Sequence, residues 1–260
     1  MPYAEFDDVR LHIRQQGSGS IALFVHGFPF DSTMWIDQLG ALSAIRRCVA
    51  VDLRGFGRSS PVSGSPLTME RHAADLAGVL DLISEEQADI IGLSMGGYVA
   101  LAFAEMYPER VRSLALIDTR AEADSAEAKQ GRDAMAERLL DEGRNAIAEA
   151  MTAGLLAPGA SIAAKARIRS MIESCPYETI GAALGGMRDR PDRTALLAEI
   201  QVPAAVLVGE SDAVTPPSDA ERMAEALPDA ILSVIPKAGH VTPIENPGAV
   251  NDALRALLTR

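Results

Sequence analysis

The chain is poor in positive charge and in cysteine, and it has no long apolar run. Lys and Arg number 24 against 36 Asp and Glu, for a net charge of -12 over 260 residues. Nucleic-acid binding needs a basic footprint, so this balance argues against a polyanionic partner. It leaves open a small anionic substrate, which senses only its local site. The two cysteines, Cys48 and Cys175, lie in unrelated contexts without C-x-x-C spacing. That argues against a disulfide framework or a zinc site and fits a reducing compartment. No apolar run approaches the roughly 20 residues that a membrane span needs. The opening MPYAEFDDVR is acidic, with no basic segment followed by an apolar one, so no signal peptide is expected there. The expectation is a cytoplasmic protein with neither nucleic acid nor membrane as partner. Nothing in the sequence indicates the oligomeric state.

What is present is an alternation. Residues 3–14 alternate loosely and suggest a hairpin. Short apolar runs follow at 21–25, 48–51, 90–93, 114–117, 204–208 and 231–235. Runs like these are expected of strands buried on both faces of a parallel sheet. Helical spacing appears between them, at 69–83, 99–106 and 221–227, and a last helix has Asn246 at its N-cap and Pro247 at its first position. Strands alternating with helices imply an α/β protein with a mostly parallel sheet. Residues 119–194 break the pattern. They carry no convincing strand, and 121–142, 145–155, 162–174 and 177–188 all look helical. An insertion of this length after a strand's C-terminal end lies over the place where α/β sheets bind ligands. The expected organisation is a core domain of residues 1–118 and 195–260, with 119–194 as a helical cap or lid.

Ser94 lies in Gly92-Leu93-Ser94-Met95-Gly96, between an expected strand and an expected helix. In that context G-x-S-x-G reads as a nucleophile elbow. A sharp strand-to-helix turn strains the serine and holds its hydroxyl out, and small residues two before and two after avoid collisions. A serine needs a base, and there are four histidines. His12 and His72 are expected at the surface. His26 is expected to brace its own loop. His240 follows the last strand, where a base can reach over the sheet edge. Asp212, just after the run at 204–208, is expected to hold His240, which gives the order Ser94, Asp212, His240. Two rivals remain open: Glu210 nearby, and Asp118 at the end of the preceding strand, which otherwise caps a helix or pairs with an arginine. The N–H of Met95, at a helix N-terminus, is one expected oxyanion donor. The N–H of Phe28, in His26-Gly27-Phe28-Pro29-Phe30, is the other. Asp52-Leu53-Arg54-Gly55-Phe56-Gly57-Arg58-Ser59 lacks G-x-G-x-x-G spacing and is not expected to hold a nucleotide. No metal constellation is visible.

Five stretches together resemble the α/β-hydrolase superfamily over nearly the full length: HGFPFDSTMW, DLRGFGRSS, GLSMGG, GESDAVTP and AGHVTPIENP. Within it the chain looks most like the small capped esterases, 3-oxoadipate enol-lactonases and cofactor-free haloperoxidases or perhydrolases. The resemblance implies an eight-stranded sheet flanked by helices, no cofactor, and a carboxylic ester or lactone as small-molecule substrate, cleaved through an acyl-enzyme. In perhydrolases hydrogen peroxide would replace water at the same triad. Ligand-sensing relatives of the same fold are a further alternative. A dehalogenase would need Asp rather than Ser94. Phe30, Trp35 and Val241, with Phe28, Met95 and methionines 135, 151, 171 and 187, are candidates to line an apolar pocket. Arg120, Arg188 and Arg190 are candidates to pair with a substrate carboxylate, or else are solvated surface charges.

Overall fold

The computed structural model describes residues 2–6, 8–62 and 66–260. Eight strands form one sheet: β1 Tyr3–Phe6, β2 Val9–Gln16, β3 Ile21–Val25, β4 Arg47–Val51, β5 Ala88–Leu93, β6 Val111–Ile117, β7 Ala204–Gly209 and β8 Ala230–Ile235. Their order across the sheet is β1-β2-β4-β3-β5-β6-β7-β8. β1 and β2 form the expected antiparallel hairpin, although Asp7 within it lies outside the described residues. β2 pairs antiparallel with β4, and every later pairing is parallel.

Ten α-helices among the described residues connect and cover the strands: α1 Ile36–Leu42, α2 Met69–Leu82, α3 Met95–Met106, α4 Ala126–Glu142, α5 Arg144–Leu155, α6 Ile162–Ser174, α7 Tyr177–Arg188, α8 Pro217–Ala226, α9 Thr242–Glu245 and α10 Pro247–Leu258. Sequence accounts for several of their ends. Thr68, Ser125 and Ser161 each accept a hydrogen bond from a first-turn N–H of α2, α4 and α6. Such a cap is worth about 1 kcal/mol. Pro247 opens α10 behind the Asn246 cap, as its fixed φ favours.

Register divides the strand residues between two cores. Leu23 stands beside Val49 and Ile90, and Ile90 beside Leu114. These face one apolar cluster, which includes Leu76 and Leu80 of α2 and Phe103 of α3. Their neighbours Phe24, Ile91, Ala115 and Leu207 face the other cluster, with Trp35, Leu42 of α1 and Leu254 and Leu257 of α10. The central strands β3, β5 and β7 are buried along their whole length, so both faces carry aliphatic side chains. β8 departs from that expectation. It is an edge strand, and Ile231, Leu232 and Val234 are 43%, 37% and 48% exposed.

Helices α4 to α7 form the insertion between β6 and β7. α4 packs on α7 and on α5, and α5 packs on α6. The insertion is fastened to the core at several points. Arg167 of α6 donates to Asp37 of α1 at 2.6 Å. Thr179 of α7 donates to the Gly55 carbonyl at 2.8 Å. No helix among the described residues is long and apolar enough to cross a membrane.

Candidate active site

Ser94 sits between β5 and α3 with φ 53° and ψ -115°. A positive φ is costly for a residue with a Cβ, by about 1–3 kcal/mol, and such strain persists only where the surroundings enforce it. Here they do. The Ser94 N–H donates to the Ile117 carbonyl at 2.9 Å, and Thr119 Oγ1 donates to the Ser94 carbonyl at 2.8 Å. The two flanking glycines permit the turn. A Cβ on Gly92 would collide with the Gly96 backbone, and one on Gly96 with the Val25 carbonyl. The turn leaves Ser94 half-buried while its neighbours Leu93 and Met95 are wholly buried.

The structure brings the three expected side chains together. His240 Nε2 lies 2.9 Å from Ser94 Oγ. His240 Nδ1 lies 2.8 Å from Asp212 Oδ2. Asp212 is held in turn: its Oδ1 accepts from the N–H groups of Val214 and Thr215 at 2.8 and 2.9 Å, and its Oδ2 from Thr215 Oγ1 at 2.7 Å. Burial works to raise the Asp212 pKa. The hydrogen bond to His240, the charge of that ring and the Thr215 donors outweigh burial and hold Asp212 below the usual carboxylate range. With Asp212 ionised, His240 Nδ1 carries a proton, and Nε2 is the acceptor facing the Ser94 hydroxyl. This arrangement can take a proton from the serine as its oxygen attacks and return it to a leaving group.

The rival acids are placed elsewhere. Glu210 is exposed and accepts from the Lys237 N–H at 3.1 Å. Asp118 is fully buried; among the described residues it pairs with no arginine, and it accepts from the first N–H of α9. Its Oδ1 accepts from the Gly209 N–H at 3.0 Å, and its Oδ2 from the Thr242 N–H and hydroxyl at 3.0 and 2.7 Å. It ties the end of β7 to the segment after His240. Burial, reinforced by the charge of Asp212, pushes the Asp118 pKa up to about 7, against the pull of His240 and the Thr242 donors.

The loop after β3 runs against the elbow. A Cβ on Gly27 would lie 3.4 Å from Ser94 Cβ. His26 braces this loop: its Nδ1 donates to the Gly27 carbonyl at 2.9 Å, and its Nε2 accepts from the Leu53 N–H at 3.0 Å. Burial holds its pKa low, so the ring is neutral. Phe28 follows at the half-buried rim. Met95 is the first residue of α3, and a helix's first N–H groups have no acceptor within the helix.

Several other placements differ from the sequence expectations. His12 is buried rather than superficial and bonds Asp52 at 2.9 Å. Asp52 also accepts from the N–H groups of Ser32 and Arg58, so the glycine-rich loop after β4 is a structural turn. His72 is wholly buried on α2 beside the Phe56 ring. Its amphipathic helix packs the histidine on the inner face, which spacing alone did not reveal. Phe30, Trp35 and Val241 are 2%, 0% and 0% exposed and pack in the second core cluster. Arg190 is buried, with Asp124 at 2.6 Å and its guanidinium 3.9 Å over the Tyr98 ring. Arg188 pairs with Asp133 and Asp189, and Arg120 with Asp219.

One carboxylate in the site was not singled out by the sequence. Glu245 Oε1 accepts from the N–H groups of Gly239 and Val241, on either side of His240, at 2.9 and 3.2 Å. Its Oε2 accepts from the Ala157 N–H of the insertion at 2.7 Å. The His240 N–H itself donates to the Leu155 carbonyl at 2.7 Å. The backbone of His240 is therefore held partly by the helical insertion. Glu245 lies five residues beyond His240 in a short helix, and no pattern in the sequence distinguishes it from a solvated acid.

The Alpha/beta hydrolase family matches residues 22–253, and the chain belongs to that family. It is 44% identical to a thermophilic esterase from Thermogutta terrifontis, whose solved structure superposes with a TM-score of 0.93 over 96% of this chain and 93% of that one. The enol-lactonase from Burkholderia xenovorans LB400 is 27% identical, with a TM-score of 0.90 and full coverage of both chains. The dihydrolipoyllysine-residue acetyltransferase component of the acetoin cleaving system of Pseudomonas putida is 31% identical over 93% of this chain, which spans 64% of that protein's length. The esterase and enol-lactonase neighbours support an ester or lactone hydrolase.

Proposed function

We propose that the protein is a serine hydrolase that cleaves a small carboxylic ester through an acyl-enzyme on Ser94. The observation that carries this reading is the unbroken hydrogen-bonded chain from Ser94 Oγ through His240 to Asp212, at 2.9 and 2.8 Å. His240 Nε2 takes the hydroxyl proton as Ser94 Oγ attacks the ester carbonyl. The N–H groups of Met95 and Phe28 receive the oxyanion, whose charge develops beside the N-terminus of α3. Collapse breaks the bond to the leaving alcohol, which takes its proton from His240. Water, deprotonated by the same nitrogen, then attacks the acyl carbonyl and releases the acid and free Ser94. Asp212 keeps His240 in the tautomer that both steps need.

A neutral ester fits better than an acidic lactone. The arginines that a substrate carboxylate would use are committed to protein partners: Arg190 to Asp124, Arg188 to Asp133 and Asp189, and Arg120 to Asp219. The insertion of α4 to α7 acts as a cap, bounding the acyl site from above and bracing His240 through residues 155–157. The test is a screen of the purified protein on p-nitrophenyl esters of increasing chain length, neutral lactones and 3-oxoadipate enol-lactone. Turnover on short neutral esters exceeding that on the acidic lactone supports this reading. Preference for the acidic lactone contradicts it.

A further inference from the structure

β8 is a sheet edge built without the usual protection. Natural edges are blunted by charged residues, proline, bulges or a covering segment, because their unpaired N–H and C=O groups otherwise recruit another strand. β8 reads Ala230-Ile231-Leu232-Ser233-Val234-Ile235, with no charge and no proline inside it. Its pairing with β7 runs without a register shift over all six residues. Three of its large aliphatic side chains are between a third and a half exposed, on both faces: Ile231 on the α10 side, and Leu232 and Val234 on the α8 side.

We infer that the occupant of this edge is a second copy of the chain, paired antiparallel through β8 about a two-fold axis at Ser233. The edge is self-complementary. Pairing about Ser233 sets Ile231 against Ile235 of the partner subunit and Leu232 against Val234 of the partner subunit, so apolar meets apolar on both faces. It also matches the ends. Asp229, which precedes the strand, is half-exposed and pairs with Arg260. Lys237, which follows it, is exposed, and its N–H bonds the Glu210 carboxylate. The antiparallel copy therefore brings Asp229 opposite the partner's Lys237 at each end, with Arg260 toward the partner's Glu210. The contact is isologous and closes as a dimer rather than growing into a fibre. It joins two eight-stranded sheets into one, and both active sites remain on the C-terminal edges of their own strands. Nothing in this inference depends on Ser94 chemistry.

Sedimentation of the purified protein from low micromolar to sub-millimolar concentration tests it, with three variants. The wild type is expected to pass reversibly from monomer to dimer. Leu232→Lys with Val234→Lys places lysines opposite lysines and weakens dimerisation by at least about tenfold, without loss of ester turnover per chain. Ser233→Cys places two thiols face to face at the axis, within disulfide reach, and forms a covalent dimer under mild oxidation. Cys48 and Cys175 are buried and do not compete. Ile231→Cys places its thiols about 13 Å apart along the strands and does not self-link. A wild type that is monomeric throughout, a lysine variant that dimerises as well as the wild type, or cross-linking of Ile231→Cys in place of Ser233→Cys each overturns the proposal.

Discussion

At the scale of the residue, the proposed catalysis rests on how tightly three side chains are held. Asp212 has three donors besides His240, so its charge is stabilised before the reaction starts. Asp212→Asn keeps the shape but favours the wrong imidazole tautomer. It is expected to lower kcat by about 10^3–10^4-fold on a short ester, measured at saturating substrate. Glu245 is a positioning residue, because its carboxylate touches the His240 backbone neighbours and the cap but not the triad atoms. Glu245→Ala frees three N–H groups and lets His240 drift from Ser94. A displacement near 1 Å costs about 10^2-fold in kcat while KM stays close to wild type. Glu245→Gln, which keeps an acceptor oxygen for the Gly239 and Val241 donors, recovers part of that loss. A purely structural role would lower the melting temperature of Glu245→Ala and leave the kcat of its folded fraction intact.

At the scale of the element, the elbow is where local sequence and global fold agree most closely. The strand expected at 90–93 and found at 88–93, the strained serine and the helix opening after it were legible because three glycines in six residues have few other uses. The two glycines nearest the turn admit no substitute: Gly92→Ala drives a methyl into the Gly96 backbone. That variant is expected to lose about 1–3 kcal/mol in urea unfolding and most of its ester turnover, whereas alanine at exposed Gly131 does neither. The order of strands and helices was legible for the same reason. The helices at 162–174 and 177–188 appear with the expected bounds, because serine or proline starts each one and apolar spacing runs through it. What depended on the third dimension was not legible. The expected exposure of His72 failed because periodicity shows that a helix has an inner face but not which polar residue lies on it. The β8 edge read as a buried strand because apolar composition does not reveal sheet order.

At the scale of the whole molecule, two buried neutral histidines couple stability to pH. His72 has no hydrogen-bond partner on either ring nitrogen among the described residues, and burial pushes its pKa down to about 3, helped by the charges of Arg54 and Arg71. In the unfolded chain the same ring takes up a proton below its ordinary value of about 6.5. The unfolded state then binds more protons than the native one, so the stabilising difference is complete above about pH 6.5 and is lost as pH falls toward 3. Burial shifts His26 in the same direction. His72→Leu removes two unsatisfied nitrogens and one titrating group. It is expected to raise stability at pH 7 by about 1–3 kcal/mol and to make the acid limb shallower by up to about 1.4 kcal/mol per pH unit. Urea unfolding between pH 4 and 8, about the range where most proteins are stable, reads both effects. An unchanged acid slope would mean that His72 is charged in the folded protein.

The central claim, that Ser94 is the acylated nucleophile, is tested most directly by pairing turnover with covalent capture. Wild type and Ser94→Ala are assayed on p-nitrophenyl acetate, and wild type is labelled with a fluorophosphonate and mapped by mass spectrometry. Many turnovers per site are expected in the wild type, with a loss of about 10^4-fold or more in Ser94→Ala and a single adduct on Ser94. Undiminished hydrolysis by Ser94→Ala, no multiple turnover in the wild type, or an adduct on another residue would contradict it.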